Sequence, residues 1–300
     1  MERFKVTLGE IKKNKALYFM MLPFLIFFFV FSVYPVLQAI FYSFTDYNVL
    51  EPANFIGLEN YRKIFLEDTI FIKAIQNTFI IAIFVGPLGY ILSFLLAWML
   101  NELPHWLGTI LTVIFYSPSM AGNAVMVFAL IFSDDATGYL NGVLLKYGII
   151  SERILWLSDS KYILPVVIIV SVWMSLGVGF LSFVAGIKGV DEAQYEAAAI
   201  DGIKNRWQEL WYVTLPNMKP QLLFGAVMSI TSALSVGEMA NLLVGFPSPN
   251  YASHTIVNHL NDYGLIRMEM GRASAIAVIL FVIMITCNLI FQKFLSKVGT

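Results

Sequence analysis

Apolar residues in this chain gather into long unbroken stretches. They show neither the alternation of a half-buried strand nor the one-sided stripe of a surface helix. Uncharged runs extend over Ala16–Thr45, Ala74–Asn101, Leu103–Ser133, Tyr162–Ile187, Pro220–Gly237 and Ala273–Gln292, and the fifth resumes past Glu238 to about Gly245. A bilayer-spanning helix needs about 20 largely apolar residues, so the six runs predict six crossings. Lipid tolerates no unpaired backbone amides and the dyad pattern of a barrel is missing, which leaves helices as the crossing element. The expected fold is an all-α membrane protein in one domain over residues 1–300, with spans at about 17–42, 75–100, 109–132, 162–186, 221–245 and 273–293.

Composition agrees with that pattern. The chain is 58% hydrophobic and 13% charged, where a soluble domain carries about 25% charge. A net charge of −1 supplies no basic field for nucleic acid. The single cysteine, Cys287, excludes an internal disulfide. A cleaved signal peptide is not expected at the N-terminus, because the apolar run there far exceeds the usual ~7–15-residue core. Five Lys and Arg precede the first span, four (Lys188, Lys204, Arg206, Lys219) separate the fourth from the fifth, and Lys293 and Lys297 follow the last. With an even number of spans these fall on one side, which the positive-inside rule makes cytoplasmic, both termini included. Tyr42, Tyr47, Trp98, Trp106 and Trp156 lie near the expected interfaces, where aromatic belts form.

The longest cytoplasmic polar stretch, at about 188–219, predicts a helix, a tight turn and a second helix. Asp191 can cap the first helix, with Gln194 placed for a capping box. Gly202 can end it in the left-handed C′ conformation. Trp207, Leu210 and Trp211 share one face of the second helix, which Pro216 ends. Ala197, Ala198 and Ala199 allow close approach of a partner backbone, and Glu196 and Asp201 offer acceptors to basic donors. An ordinary interfacial amphipathic helix is the plainer reading of the same stretch.

Glu196-Ala197-Ala198, Gly202 and Leu215-Pro216 resemble the EAA loop of binding-protein-dependent importer permeases. Asp201-Gly202 and Val213-Thr214-Leu215-Pro216 are similar to the carbohydrate branch of that family. The resemblance continues through Tyr34-Pro35, Ser43-Phe44-Thr45-Asp46-Tyr47, Phe55-Ile56-Gly57-Leu58-Glu59-Asn60-Tyr61, Asn77-Thr78, Asn141 and Trp156-Leu157-Ser158-Asp159. Gly245-Phe246-Pro247 with Thr255 looks like a degraded form of the family's outer Gly-Gly-Pro…Thr segment. The chain departs from the pattern by one extra residue near Lys204–Arg206.

The resemblance implies a type I ABC importer permease of the maltose and glycerol-phosphate kind, in a bacterial cell membrane. It implies that Glu196, Ala197, Ala198, Asp201 and Gly202 couple to a cytoplasmic ATPase dimer. It also implies a second homologous permease, an extracytoplasmic solute-binding protein and a sugar substrate. The chain has no Gly-x4-Gly-Lys-Ser/Thr loop with which to cradle phosphates, so ATP and Mg2+ are expected on the partner and no cofactor in this chain.

A carboxylate inside a span is costly, so such groups usually face a bundle interior. Glu238 is therefore the leading candidate for the solute pathway, with Asn241 at i+3 and Ser235 at i−3 on its face. Asn123, Tyr116 and Trp173 are further candidates, as amide and aromatic contacts for a sugar. The alternatives for each are hydration near the outer interface, a bond to a neighbouring helix, or plain packing. His254 and His259, five residues apart, do not have a zinc spacing. An ion-coupled secondary transporter would want inverted repeats and several intramembrane ionisable groups, and the chain has one such group and no clear repeat. A membrane enzyme is disfavoured, since His-Glu-x-x-His and Gly-x-Ser-x-Gly are absent.

Overall fold

The computed structural model describes residues 14–122 and 124–295. The described residues form helices and one isolated bridge, Thr45 to Phe55, with no strand. The long apolar helices are α1 (Lys15–Tyr42) and α3 (Thr69–Asn101), then α7 (Ser160–Met174) with α8 (Val178–Lys188), and finally α14 (Met270–Leu295). Two further apolar pairs are sharply bent. They are α4 (His105–Met120) with α5 (Val125–Ile131), at 91°, and α11 (Lys219–Leu234) with α12 (Gly237–Val244), at 47°. Short helices α2 (Glu59–Leu66) and α6 (Tyr139–Lys146) lie in two connections, α9 (Glu192–Ile200) and α10 (Arg206–Glu209) in a third, and α13 (Ile256–Asn261) before α14.

Local chemistry sets these boundaries. Asp68 accepts a hydrogen bond from the Phe71 amide at 2.9 Å, so α3 starts at Thr69, ahead of the apolar run. Its 33 residues reach roughly 50 Å at the helical rise per residue, beyond the ~30 Å hydrocarbon core. In α1, Pro35 follows a π turn at Phe29–Val33. A proline clashes with the carbonyl four residues before it, and a wider turn relieves that clash. The spans expected at 109–132, 162–186 and 221–245 are each interrupted, after Met120, at residues 175–177 and at residues 235–236.

The core is built on α3, which packs against α4, α7, α8, α11 and α13. One apolar cluster joins Ile81 and Val85 of α3 to Val166, Val170, Ala233 and Ala240. A second joins Phe94, Ala97 and Leu100 to Phe180, Phe183, Leu210 and Met218. A third fixes α2, α13 and α14 around Phe71, Ile256 and Ile276. With apolar lipid outside, helix association depends on close fit more than on the hydrophobic effect. Gly225 of α11 supplies that fit, since a methyl group there would overlap the Phe183 ring. That ring sits edge-on to Tyr90 and Phe94 at 5.3 and 5.7 Å between centroids.

Helix α1 differs from the rest. None of its most apolar window is buried, and its second half alone leans on α14. A continuous apolar surface of this size requires cover from lipid or another membrane chain.

Gly225→Val is expected to destabilise the bundle by about 1–3 kcal/mol, the usual cost of overfilling a tight core. Thermal unfolding of the detergent-purified chain measures it. An unchanged midpoint would show that the Phe183 contact is loose.

Candidate functional site

Two features stand apart from ordinary helix packing: the polar elbow between α8 and α11, and a hydroxyl-lined cavity where the broken helices meet.

The elbow begins at Asp191, whose carboxylate accepts from the Ala193 amide at 3.1 Å. The expected capping box does not form, because Gln194 accepts instead from the Asn217 side-chain amide. Helix α9 ends in a Schellman turn. Gly202 has φ +98°, its amide bonds to the Ala199 carbonyl at 3.3 Å, and the Ile203 amide bonds to the Ala198 carbonyl at 3.0 Å. These are the two bonds that define the motif. An irregular link, Ile203–Asn205, follows, and Asn205 caps the next helix by accepting from the Gln208 amide at 2.9 Å. A π turn at Leu210–Thr214 then follows α10. It rotates the chain so that Leu210 and Val213 are buried while Trp207 and Trp211 stay exposed, which separates the three residues expected on one face. Hydrogen bonds brace the halves of the elbow, between Tyr195 and Thr214 hydroxyls at 2.9 Å and from the Asn217 side-chain amide to the Gln194 side-chain carbonyl at 2.5 Å.

The five expected coupling residues are therefore not equivalent. Glu196, Ala197, Asp201 and Gly202 are exposed, whereas Ala198 turns inward and is buried. The free face of α9 carries Ala193, Glu196, Ala197 and Ile200, spaced i, i+3, i+4 and i+7 along one stripe. Ile200, not singled out from the sequence, is 87% exposed.

The cavity has a volume of about 300 Å3, at the small end for a ligand site. Tyr90, Ser93, Tyr116, Ser119, Ser175, Ser229 and Ser232 line it with hydroxyls, beside Gly177 and Gly225. It adjoins the α7–α8 break and the last turn of α4. Non-helical backbone at membrane depth is tolerated where it is enclosed by protein or lines a polar cavity. Among the expected solute contacts, Tyr116 lies on this cavity. Trp173 does not; it is half exposed and packs near Phe115 at 6.4 Å. Asn123 lies outside the described residues. The serines were missed because single hydroxyls in apolar helices are common. Their signal was the proline and glycine beside them, Pro118 and Gly177.

Glu238 and Ser235 are exposed at the α11–α12 bend. Asn241 is committed elsewhere: it accepts from the Asn258 amide, which also donates to the Gly237 carbonyl at 2.9 Å. Asn258 completes a capping box with Thr255 on α13. Asn241 thus ties α12, through its Oδ1, to the Thr255–Asn258 capping box.

An all-helical membrane chain with helix breaks around a hydroxyl cavity and a braced elbow at one end has the makings of a transport subunit. The chain belongs to the family of binding-protein-dependent transport system inner membrane components, whose model matches residues 89–298. It is 32% identical over 287 residues to the probable ABC transporter permease protein YesP of Bacillus subtilis (strain 168), covering 94% of this chain and 91% of that one. It is 29% identical over 283 residues to the arabinooligosaccharides transport system permease protein AraP of the same organism, covering 94% and 88%. Its fold superposes with a TM-score of 0.79, at 25% identity, on a chain of a bacterial alginate ABC transporter in complex with an alginate pentasaccharide-bound periplasmic protein, covering 97% of this chain and 99% of that one.

The described residues hold no group of three His, Cys, Asp or Glu that could bind a metal ion. Their ionisable chemistry concentrates instead in a buried chain at the foot of α3. Asp68 accepts from the Tyr263 hydroxyl at 2.9 Å and from His259 Nε2 at 3.0 Å. His259 Nδ1 lies 3.1 Å from His254 Nε2. The Nδ1 of His254 has no hydrogen-bond partner among the described residues. Partial burial pushes the Asp68 carboxyl up, but the hydrogen bonds from His259, the Phe71 amide and Tyr263 outweigh it and hold it well below the usual carboxylate range. Burial, with His259 alongside, pushes His254 down to about 4.

A depressed histidine contributes stability that is complete above its unfolded value, about 6.5, and is lost as pH falls toward the folded value. The segment around His254 is therefore expected to lose up to about 3 kcal/mol between pH 6.5 and pH 4, at about 1.4 kcal/mol per pH unit. Unfolding midpoints across that range, for the parent and His254→Phe, test this. The same slope in both chains would remove His254 as the cause.

Proposed function

We propose that this chain is a six-crossing permease subunit of an ATP-driven importer, translocating an oligosaccharide handed over by an extracytoplasmic binding protein. ATP and Mg2+ are held by a separate ATPase dimer that grips α9, and a second homologous permease completes the pathway. Both ends lie on the cytoplasmic side, as Lys15, Lys188, Lys204 and Lys219 favour under the positive-inside rule. The substrate class draws on the relatives: AraP carries arabinooligosaccharides in its name, and the alginate transporter acts on a polysaccharide.

The observation that carries the reading is the exposed α9 stripe on a braced elbow. Small residues let another backbone come close, Glu196 offers a carboxylate to a basic side chain, and Ile200 offers an apolar anchor. Nucleotide that holds two such elbows together biases the bundle toward one of two states, which is a population shift and needs no chemistry in this chain. The hydroxyl cavity, with Glu238 and Ser235 on the face beyond it, supplies hydrogen-bond partners of the kind a sugar uses.

Glu196→Lys is expected to leave the chain folded and inserted while cutting co-purification of the ATPase and its solute-stimulated hydrolysis at least about tenfold, the loss from removing one 1.4 kcal/mol contact. Normal values of both would reject the grip on α9. On the solute side, Ser232→Phe, which fills the cavity, and Glu238→Ala are expected to lower uptake with basal hydrolysis intact. Uptake kinetics like the parent's in both variants would take the pathway elsewhere.

A further inference from the structure

On the cytoplasmic side, the turn between α3 and α4 faces the elbow across a gap of about 520 Å3. Trp98, Glu102 and His105 line the gap from the turn, and Lys188, Glu192 and Tyr195 from the elbow. The two walls join at one edge. There Arg206 reaches from α10 to Glu102 with Nε at 3.2 Å and holds Glu209 on its own helix with Nη1 at 2.6 Å. The Trp207 ring meets the Trp98 ring with centroids 5.0 Å apart. One residue pair supplies charge and the adjacent pair supplies shape, both linking α10 to the last turn of α3.

Beneath this edge, Leu210 enters the apolar cluster of Phe94, Ala97 and Leu100, and Leu111 and Tyr116 of α4 pack on the same cluster. Tyr116 also lines the hydroxyl cavity. A continuous set of contacts thus runs from the elbow through the end of α3 to α4 and the cavity wall. The gap leaves the remainder of the turn free to move.

We propose that Arg206, bridging Glu102 and Glu209 beside the Trp98–Trp207 pair, is a positioning strut that passes movement of the elbow to α4 and so to the cavity. It rests on the reading that a separate ATPase moves the elbow. An exposed ion pair contributes little to stability, so the strut acts on the direction of motion and not on folding. Removing it weakens the link from the elbow to α4, leaving the Trp98–Trp207 and Leu210 contacts, while the grip on α9 remains.

The test uses the complete transporter in vesicles, scoring three quantities: ATPase bound per permease, basal hydrolysis, and solute taken up per ATP hydrolysed. Arg206→Glu and Glu102→Arg are each expected to leave the first two unchanged and to lower the third between about 2- and 30-fold, the span seen for residues along a coupling network. The double variant Glu102→Arg/Arg206→Glu is expected to recover toward the parent value, which a loss of folding would not allow. Arg206→Gln, which removes the bridge without adding like charge, is expected to fall in the same direction and serves if either reversal blocks assembly. Parent-like uptake per ATP in the single variants, or no recovery in the double, overturns the strut. Absence of any ATPase bound to the parent overturns the motor reading beneath it.

Discussion

Lipid offers no hydrogen bonds, so every peptide group at membrane depth must find a partner within the protein. Helices meet this demand residue by residue. Where the chain abandons the helix, it must provide another answer. Here the departures at the end of α4, between α7 and α8, and between α11 and α12 lie around or beside one hydroxyl-rich space. Leu176 at the α7–α8 break is buried, whereas Ala121 at the end of α4 and Ser235 between α11 and α12 are exposed. Irregular backbone and hydroxyl side chains thus gather in the same part of the molecule.

The broad architecture was legible in the sequence because it depends on runs of uncharged residues, and such runs admit few structures in a bilayer. The stop at Gly202 was legible too, since a glycine after a run of strong helix formers has few other uses. Side-chain direction was not. Ala198 faces inward and Ile200 outward because α9 is held by Tyr195 and Asn217 to residues some twenty positions away in the chain, which periodicity cannot know. Asn241 shared a face with Glu238 on paper, yet it is claimed by Asn258 across a turn whose path the sequence left open. The π turn at Leu210–Thr214 displaced the expected aromatic face by adding one residue to a helical turn.

Polar groups in this chain sort by depth. The buried Asp68–His259–His254 chain, the Asn77 amide donating to the Tyr251 and His254 carbonyls at 3.0 Å, and the Thr78 hydroxyl accepting from the Ile256 amide at 2.9 Å lie together where the segment before α14 folds back on α3. They add directional bonds beside the apolar cluster of Phe71, Ile256 and Ile276. Within the long apolar helices hydroxyls take over, which can bond to the helix itself. Ser171 and Thr231 do so, donating to carbonyls four residues back at 2.6 and 2.9 Å.

The Schellman turn at Gly202 has a mechanical meaning. Its two backbone bonds close off α9, and Tyr195 and Asn217 pin that helix to the strand of chain that returns to the membrane. A loop that can bend absorbs a push by changing its own shape; one locked at both ends hands the push on undiminished. With its glycine committed to stopping a helix and not to making a joint, the elbow has the build of a short crank, with little play between its tip and the helices behind it.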